Sequence, residues 1–212
     1  MKTKLIIVRH THTVGNLEKR LTGRCDYDIT KEGENLIKKL TKKLSNVKFD
    51  KVYASTSGRA IKTVQPLANL NNLQVIQDEN LCEMYFGIYD GWKWEDVNKI
   101  DPTIKQTQNE INEIAGIPEQ ETMKDAEVRM TNIIKKIAKE NVGKTVLIGS
   151  HGVSIEAFLR GITKEPFCVR REEYSQKNTS INEVEYDLEN DSFEIIKLNE
   201  INHLYEEQEY EH

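Results

Sequence analysis

The chain has 212 residues, 37% of them hydrophobic and 31% charged, and a formal net charge of −5. That supplies a core inside a well-solvated surface, and its charge has the wrong sign for nucleic-acid binding. Three scattered cysteines, Cys25, Cys82 and Cys168, have no paired spacing, which argues against a disulfide framework or a thiolate metal site and fits a reducing compartment.

The first element is KLIIVR at 4–9, a short buried strand that stops at Arg9 and His10, with His12 two positions on. Its four apolar residues are too few for a signal-peptide core. No run approaches the ~18 apolar residues of a membrane span, so a cytoplasmic location without membrane contact is expected. From Thr30, a plausible N-cap, TKEGENLIKKLTKKL has helical periodicity, with its lysines on a solvated face. KVYAS at 51–55 is a second strand. SGRAIKTVQPLANL is helical up to and past Pro66, where a kink is expected. LQVIQ at 73–77 is a third strand.

Residues 84–143 contain two helical patterns, about 101–115 and 122–140, around the breakers Gly116 and Pro118. This segment is long for one crossover and is expected to supply a helical cap. Tyr85, Phe86, Tyr89, Trp92 and Trp94 cluster within it, as core packing or as pocket lining. TVLIGS at 145–150 is a fourth strand, followed directly by the helical HGVSIEAFLRGI. TSINEVEYD and SFEIIKLN, joined by LEND, make a C-terminal hairpin. The tail at 206–212 is acidic and expected to fray.

Strands alternating with helices indicate a single α/β domain over 1–212. The expected fold is three-layer and doubly wound, with a mostly parallel sheet, helices on both faces and an antiparallel hairpin at the edge. In such sheets ligands bind beyond the carboxyl ends of the strands. Three strand ends here carry Arg9 and His10, Ser55 leading to Arg59, and Ser150, His151 and Gly152. Two arginines and two histidines beside a helix N-terminus suit an anion. Gly152 allows close backbone approach.

These stretches resemble the histidine phosphatase superfamily, the phosphoglycerate-mutase-like proteins, in the branch of small phosphatases and mutases. Arg9-His10-Thr11-His12-Thr13-Val14-Gly15-Asn16 is similar to the family opening, with Thr11 and His12 in place of glycine and its polar neighbour. TGRCDYDITKEG, YASTSGRAIKT, LCEMYFGIYDG and IGSHG follow in family order. The resemblance implies a metal-independent, cofactor-free phosphomonoester hydrolase acting on a small phosphorylated metabolite. His10 would accept the phosphoryl group, while Arg9, Arg59 and His151 form the phosphate pocket. Glu83 would serve as general acid and base, and Asn16, Thr22 and Gly23 as substrate contacts.

Two rival activities share parts of this pattern. A phosphoglycerate mutase would use the same site chemistry, but resembling mutases carry an arginine-rich insertion after the acidic segment. Residues 93–121 contain no arginine. A metal-dependent amidohydrolase would use His10-x-His12 as ligands, yet only five histidines exist and the chain is shorter than the ~250 residues usual for its barrel. No sequence feature reports oligomeric state.

Overall fold

Strand β1 (Lys2–Arg9) serves two cores at once. Successive side chains of a strand point to opposite faces, so Leu5 and Ile7 enter one apolar cluster and Ile6 and Val8 another. The computed structural model describes residues 1–104, 115–166 and 172–205. The described part of the chain forms a six-stranded sheet of order β3-β2-β4-β1-β5-β6. Strands β2 (Lys51–Ala54), β3 (Val75–Gln77) and β4 (Thr145–Ser150) join β1 in parallel. Strands β5 (Ile181–Asp187) and β6 (Ser192–Glu200) add the antiparallel hairpin. This is the mostly parallel α/β sheet expected from the sequence.

Helix α1 (Val14–Leu17) is a single turn, followed by α2 (Lys31–Leu44) and α3 (Gly58–Leu70). Leu40, Leu44, Val64 and Leu67 of α2 and α3 pack on the Ile6 and Val8 face. Helix α4 (Trp94–Ile100) precedes α5 (Met123–Glu140) and α6 (Gly152–Thr163). Met130, Ile134, Ile155 and Phe158 of α5 and α6 pack on the Leu5 and Ile7 face. The connection leaving β1 therefore crosses one face and the helix leaving β4 lies on the other. These two strands are neighbours, and the gap between their carboxyl ends is the switch point where α/β sheets bind ligands.

Several expected boundaries shift for local reasons. Helix α3 continues through Pro66 to Leu70. It closes with Asn72 at φ 54°, while Leu73 N–H donates to Ala68 O at 2.9 Å and Asn72 N–H to Asn69 O at 3.1 Å. That Schellman closure consumes Leu73, so β3 begins at Val75 and not at 73. Helix α4 ends at Ile100, and helical backbone resumes at 102–104, where the expected 101–115 helix begins. Pro102 disfavours helical backbone at Asp101, whose φ and ψ are −133° and 80°. Most of the expected 101–115 helix, and the tail at 206–212, lie outside the described residues. The expected 122–140 helix is α5, capped by Thr122 and Asp125 in a reciprocal box.

A third apolar cluster joins Leu21, Met84, Phe86, Val97, Ile117, Met123 and Ala157. Phe86 is buried in it, and Tyr89 and Trp94 pack against it, so core packing explains three of the five clustered aromatics. Trp92 is 42% exposed. Among the described residues, no helix is long and apolar enough to cross a membrane.

Candidate active site

The site is built where β1 and β4 end side by side. Their register pairs Arg9 with Ser150, and His10 N–H extends the ladder to Ser150 O at 2.9 Å. The next residues, His10 and His151, bring their rings to a centroid distance of 5.2 Å. Both imidazoles are buried. His10 Nδ1 lies 2.7 Å from the carbonyl oxygen of Thr11. A carbonyl only accepts, so Nδ1 carries the hydrogen and the Nε2 lone pair is left bare. Burial, then the charges of Arg9 and Arg59, hold His10 well below the usual imidazole pKa, so the ring is neutral.

His151 is neutral for the same reasons: burial first, then Arg59, His10 and Arg9. Its Nε2 is 2.6 Å from Ser55 Oγ. Ser55 Oγ also accepts from Ser57 N–H at 3.3 Å, and among the described residues His151 Nε2 is the one acceptor within reach of its own hydrogen. That leaves His151 Nδ1 as an N–H donor, and Nδ1 makes no hydrogen bond among the described residues. The Nε atoms of Arg9 and Arg59 are buried and unpartnered as well. Three orphan donors in one cluster are costly unless an anion receives them.

The two arginines are held differently. Arg9 Nη1 donates to Gln176 O at 2.6 Å, and a Cβ at Gly152 would come within 3.2 Å of Arg9 Nε. Gly152 thus leaves room for the Arg9 guanidinium at the start of α6. Arg59 is fully buried at the start of α3. It donates to Thr22 O, Gly23 O and Cys25 O at 3.3, 2.9 and 2.6 Å, and to Asp26 Oδ1 at 3.0 Å. Thr22 and Gly23 therefore meet the cluster through their carbonyls, as the cradle of Arg59. Asp90 pins that loop by accepting from Gly23 N–H at 2.9 Å and Arg24 N–H at 2.7 Å. A cleft of about 280 Å³ lined by Asp26, Tyr27, Asp28, Arg59 and Lys62 opens beside it.

Glu83 is buried against the first turn of α6. Its Oε1 accepts from Met84 N–H and Ser154 N–H, each at 2.9 Å, and Oε2 from Val153 N–H at 3.1 Å. His151, the N-cap residue, makes no side-chain cap, so Glu83 caps this helix from 70 residues away. Oε2 takes only one of these bonds and keeps a position for a proton.

Asn16 closes a capping box with Thr13 on α1. Its Oδ1 accepts from Asn178 Nδ2 at 3.3 Å, and Asn178 Nδ2 also donates to His10 O at 3.0 Å. Asn16 thus reaches the cluster through Asn178. Thr179 adopts φ 58°, rare for a β-branched residue, and its N–H donates to Arg9 O at 3.1 Å. Asn178 and Thr179 lie outside the sequence motifs, and the β1–β5 pairing carries them to His10. Ser55 carried a signal through its place at the end of β2. His12 instead bonds the N-cap of α2: its Nδ1 is 2.9 Å from Thr30 Oγ1. His10 and His12 bond different partners, Thr11 O and Thr30 Oγ1, and the sheet is open and not a closed barrel, which argues against the amidohydrolase reading. Among the described residues, no three potential metal-ligating side chains gather.

Comparison with known proteins agrees with this geometry. The chain is 30% identical over 189 residues to a 2,3-bisphosphoglycerate-dependent phosphoglycerate mutase of Staphylococcus saprophyticus, covering 74% of this chain and 83% of that protein. It is 29% identical over 159 residues to a putative phosphoserine phosphatase 2 of Hydrogenobacter thermophilus, covering 74% and 76%. Among solved structures, Bacillus stearothermophilus YhfR superposes with a TM-score of 0.87 at 25% identity, over 95% of this chain and 99% of that one. The model of the histidine phosphatase superfamily (branch 1) matches residues 5–201, and the chain belongs to that superfamily.

Proposed function

We propose that this protein is a metal-independent phosphomonoester hydrolase that works through a phosphohistidine on His10. The observation that carries the reading is a neutral His10 with Nε2 bare, beside three buried N–H donors that no described residue accepts. In the first step Nε2 bonds to phosphorus as the ester oxygen departs. Arg9 Nε, Arg59 Nε and His151 Nδ1 take the phosphoryl oxygens, whose charge spreads in the transition state. Glu83 Oε2 gives its proton to the leaving alkoxide. In the second step Glu83 takes a proton from water as its oxygen attacks phosphorus and frees His10.

Small phosphate esters of the phosphoserine and 3-phosphoglycerate kind are the substrates favoured by the names of the relatives. Mutase-named relatives keep phosphoryl transfer between two hydroxyls of one substrate as the second reading. The deciding experiment measures phosphate release over a panel of phosphomonoesters with and without chelator, alongside isomerisation of 3-phosphoglycerate. Release unaffected by chelator is the expected result. Isomerisation outpacing release would favour the mutase, and activity lost to chelator and restored by metal would overturn metal independence.

A further inference from the structure

Arg129, on α5, belongs to none of the sequence motifs, yet two of its five guanidinium hydrogen bonds reach the backbone of the loop that carries Glu83. Its Nη1 donates to Asn80 O at 2.7 Å and Cys82 O at 2.9 Å. Its Nε and Nη2 form a two-pronged pair with Glu121 Oε1 and Oε2 at 2.7 and 2.9 Å. Nη2 also lies 3.4 Å from Ser154 Oγ, which donates to Cys82 O at 2.9 Å. Glu121 grips the other side of the loop. Its Oε2 accepts from Tyr85 N–H at 3.3 Å, and its N–H donates to Tyr85 O at 3.0 Å. Residues 82 and 85 bracket Glu83, so the Arg129–Glu121 pair fixes the backbone on both sides of it.

We infer that Arg129 and Glu121 are positioning residues that aim the Glu83 carboxyl at the leaving oxygen; the inference rests on the proton-transfer role proposed for Glu83. The physical need is clear. The pair of bonds from α6 sets the orientation of the carboxylate about its own axis, but the loop backbone sets how far it reaches. Misplacing a reacting group by about 1 Å costs on the order of 10²-fold. Only a planar guanidinium can serve two carbonyls and a carboxylate at once; the ammonium of lysine cannot reproduce the fork. An arginine that merely anchored α5 to the sheet would slow all substrates alike.

The test is single-turnover phosphorylation of the enzyme by an alkyl phosphate and by nitrophenyl phosphate, whose leaving group needs no proton. Arg129→Lys, Glu121→Gln and Glu83→Gln are compared with the unmodified protein. All three variants are expected to slow the alkyl ester by about 10²-fold, within the range of acid assistance, and the nitrophenyl ester by less than about threefold. Guanidinium chloride below its denaturing range should restore the alkyl ester selectively in Arg129→Gly. If Glu83→Gln discriminates between the esters but the Arg129 and Glu121 variants do not, positioning is overturned and the Glu83 role stands. If Glu83→Gln slows both esters equally, both readings fall. Should Arg129→Lys melt below the assay temperature, the ester discrimination of Glu121→Gln decides between positioning and anchoring.

Discussion

The hydroxyl of Thr11 donates to the carbonyl oxygen of Gly33 across 2.6 Å, joining the strand end that bears His10 to the first turn of α2. Thr11 is fully buried, so the side chain that departs from the family's glycine is accommodated by Gly33. A Cβ at Gly33 would lie 2.1 Å from His12 O and 2.7 Å from Ile29 Cγ2. Backbone cannot yield there as a side chain would.

Substitutions at these two positions should separate stability from catalysis. Thr11→Val removes one hydrogen bond and should cost about 1 kcal/mol. Thr11→Ser removes a methyl and should cost about 0.8 kcal/mol. Thr11 holds His10 through its backbone carbonyl and receives support from Thr63 through its backbone N–H, and both survive these changes. Urea denaturation should therefore show the loss while kcat moves little. Gly33→Ala must displace the His12 carbonyl and should lower both. Stability equal to the unmodified protein in Gly33→Ala would contradict the packing described.

The tautomer of His10 makes a prediction about where phosphorus attaches. Because Nδ1–H is committed to Thr11 O, rapid quenching after mixing with substrate should trap phosphorus on Nε2, not Nδ1. Two-dimensional phosphorus–proton NMR of the quenched peptide distinguishes the two isomers. His10→Ala should carry no label and lose at least ~10³-fold in turnover. Label persisting in that variant would move the nucleophile elsewhere.

The sheet and the cluster of Arg9, His10, Arg59 and His151 were legible because they follow from local rules. TVLIGS reads as a buried strand and is one, residue for residue, since β4 is covered on both faces and its apolar run is uninterrupted. Arg9, His10, Arg59 and His151 could be located because parallel strands deliver their carboxyl ends to one edge. What was not legible lies in long-range geometry. Nothing local shows that Glu83 caps a helix beginning at Gly152, or that Arg129 and Glu121 grip the backbone around Glu83. Helix α1 was missed because four residues carry no periodicity, and its cap uses Asn16 where a glutamate is the stronger signal.

Helix α6 ends on a lysine in a conformation that suits glycine. Lys164 sits at φ 58° and ψ 28°, Glu165 N–H donates to Arg160 O at 3.0 Å, and Lys164 N–H to Gly161 O at 3.4 Å. Left-handed backbone costs an L-residue about 1–2 kcal/mol, while glycine adds about 0.5–1 kcal/mol of chain entropy. Lys164→Gly should thus stabilise the protein by about 0.5–1 kcal/mol. A lowered midpoint in urea would show that the lysine side chain supplies more than the strain it costs.

The last prediction concerns acid. Burial, reinforced by arginine charge, holds His10 and His151 well below the ordinary imidazole pKa, whereas both titrate near about 6.5 when the chain unfolds. Below that pH the unfolded state binds protons that the folded state refuses, so stability rises with pH there. The stabilisation is complete above about pH 6.5 and is lost progressively as pH falls toward the depressed folded values. Each histidine contributes a slope of up to about 1.4 kcal/mol per pH unit in that window. Glu156 works in the opposite sense, because burial raises its pKa; its stabilisation is present below about pH 4.3 and lost as pH rises through the folded value. Comparing the protein with His10→Gln cancels Glu156. Urea midpoints measured from about pH 5 to 8 should fall less steeply toward acid in the variant, by about one proton's slope. Parallel curves would mean that His10 accepts a proton in the folded site, and the neutral nucleophile would have to be abandoned.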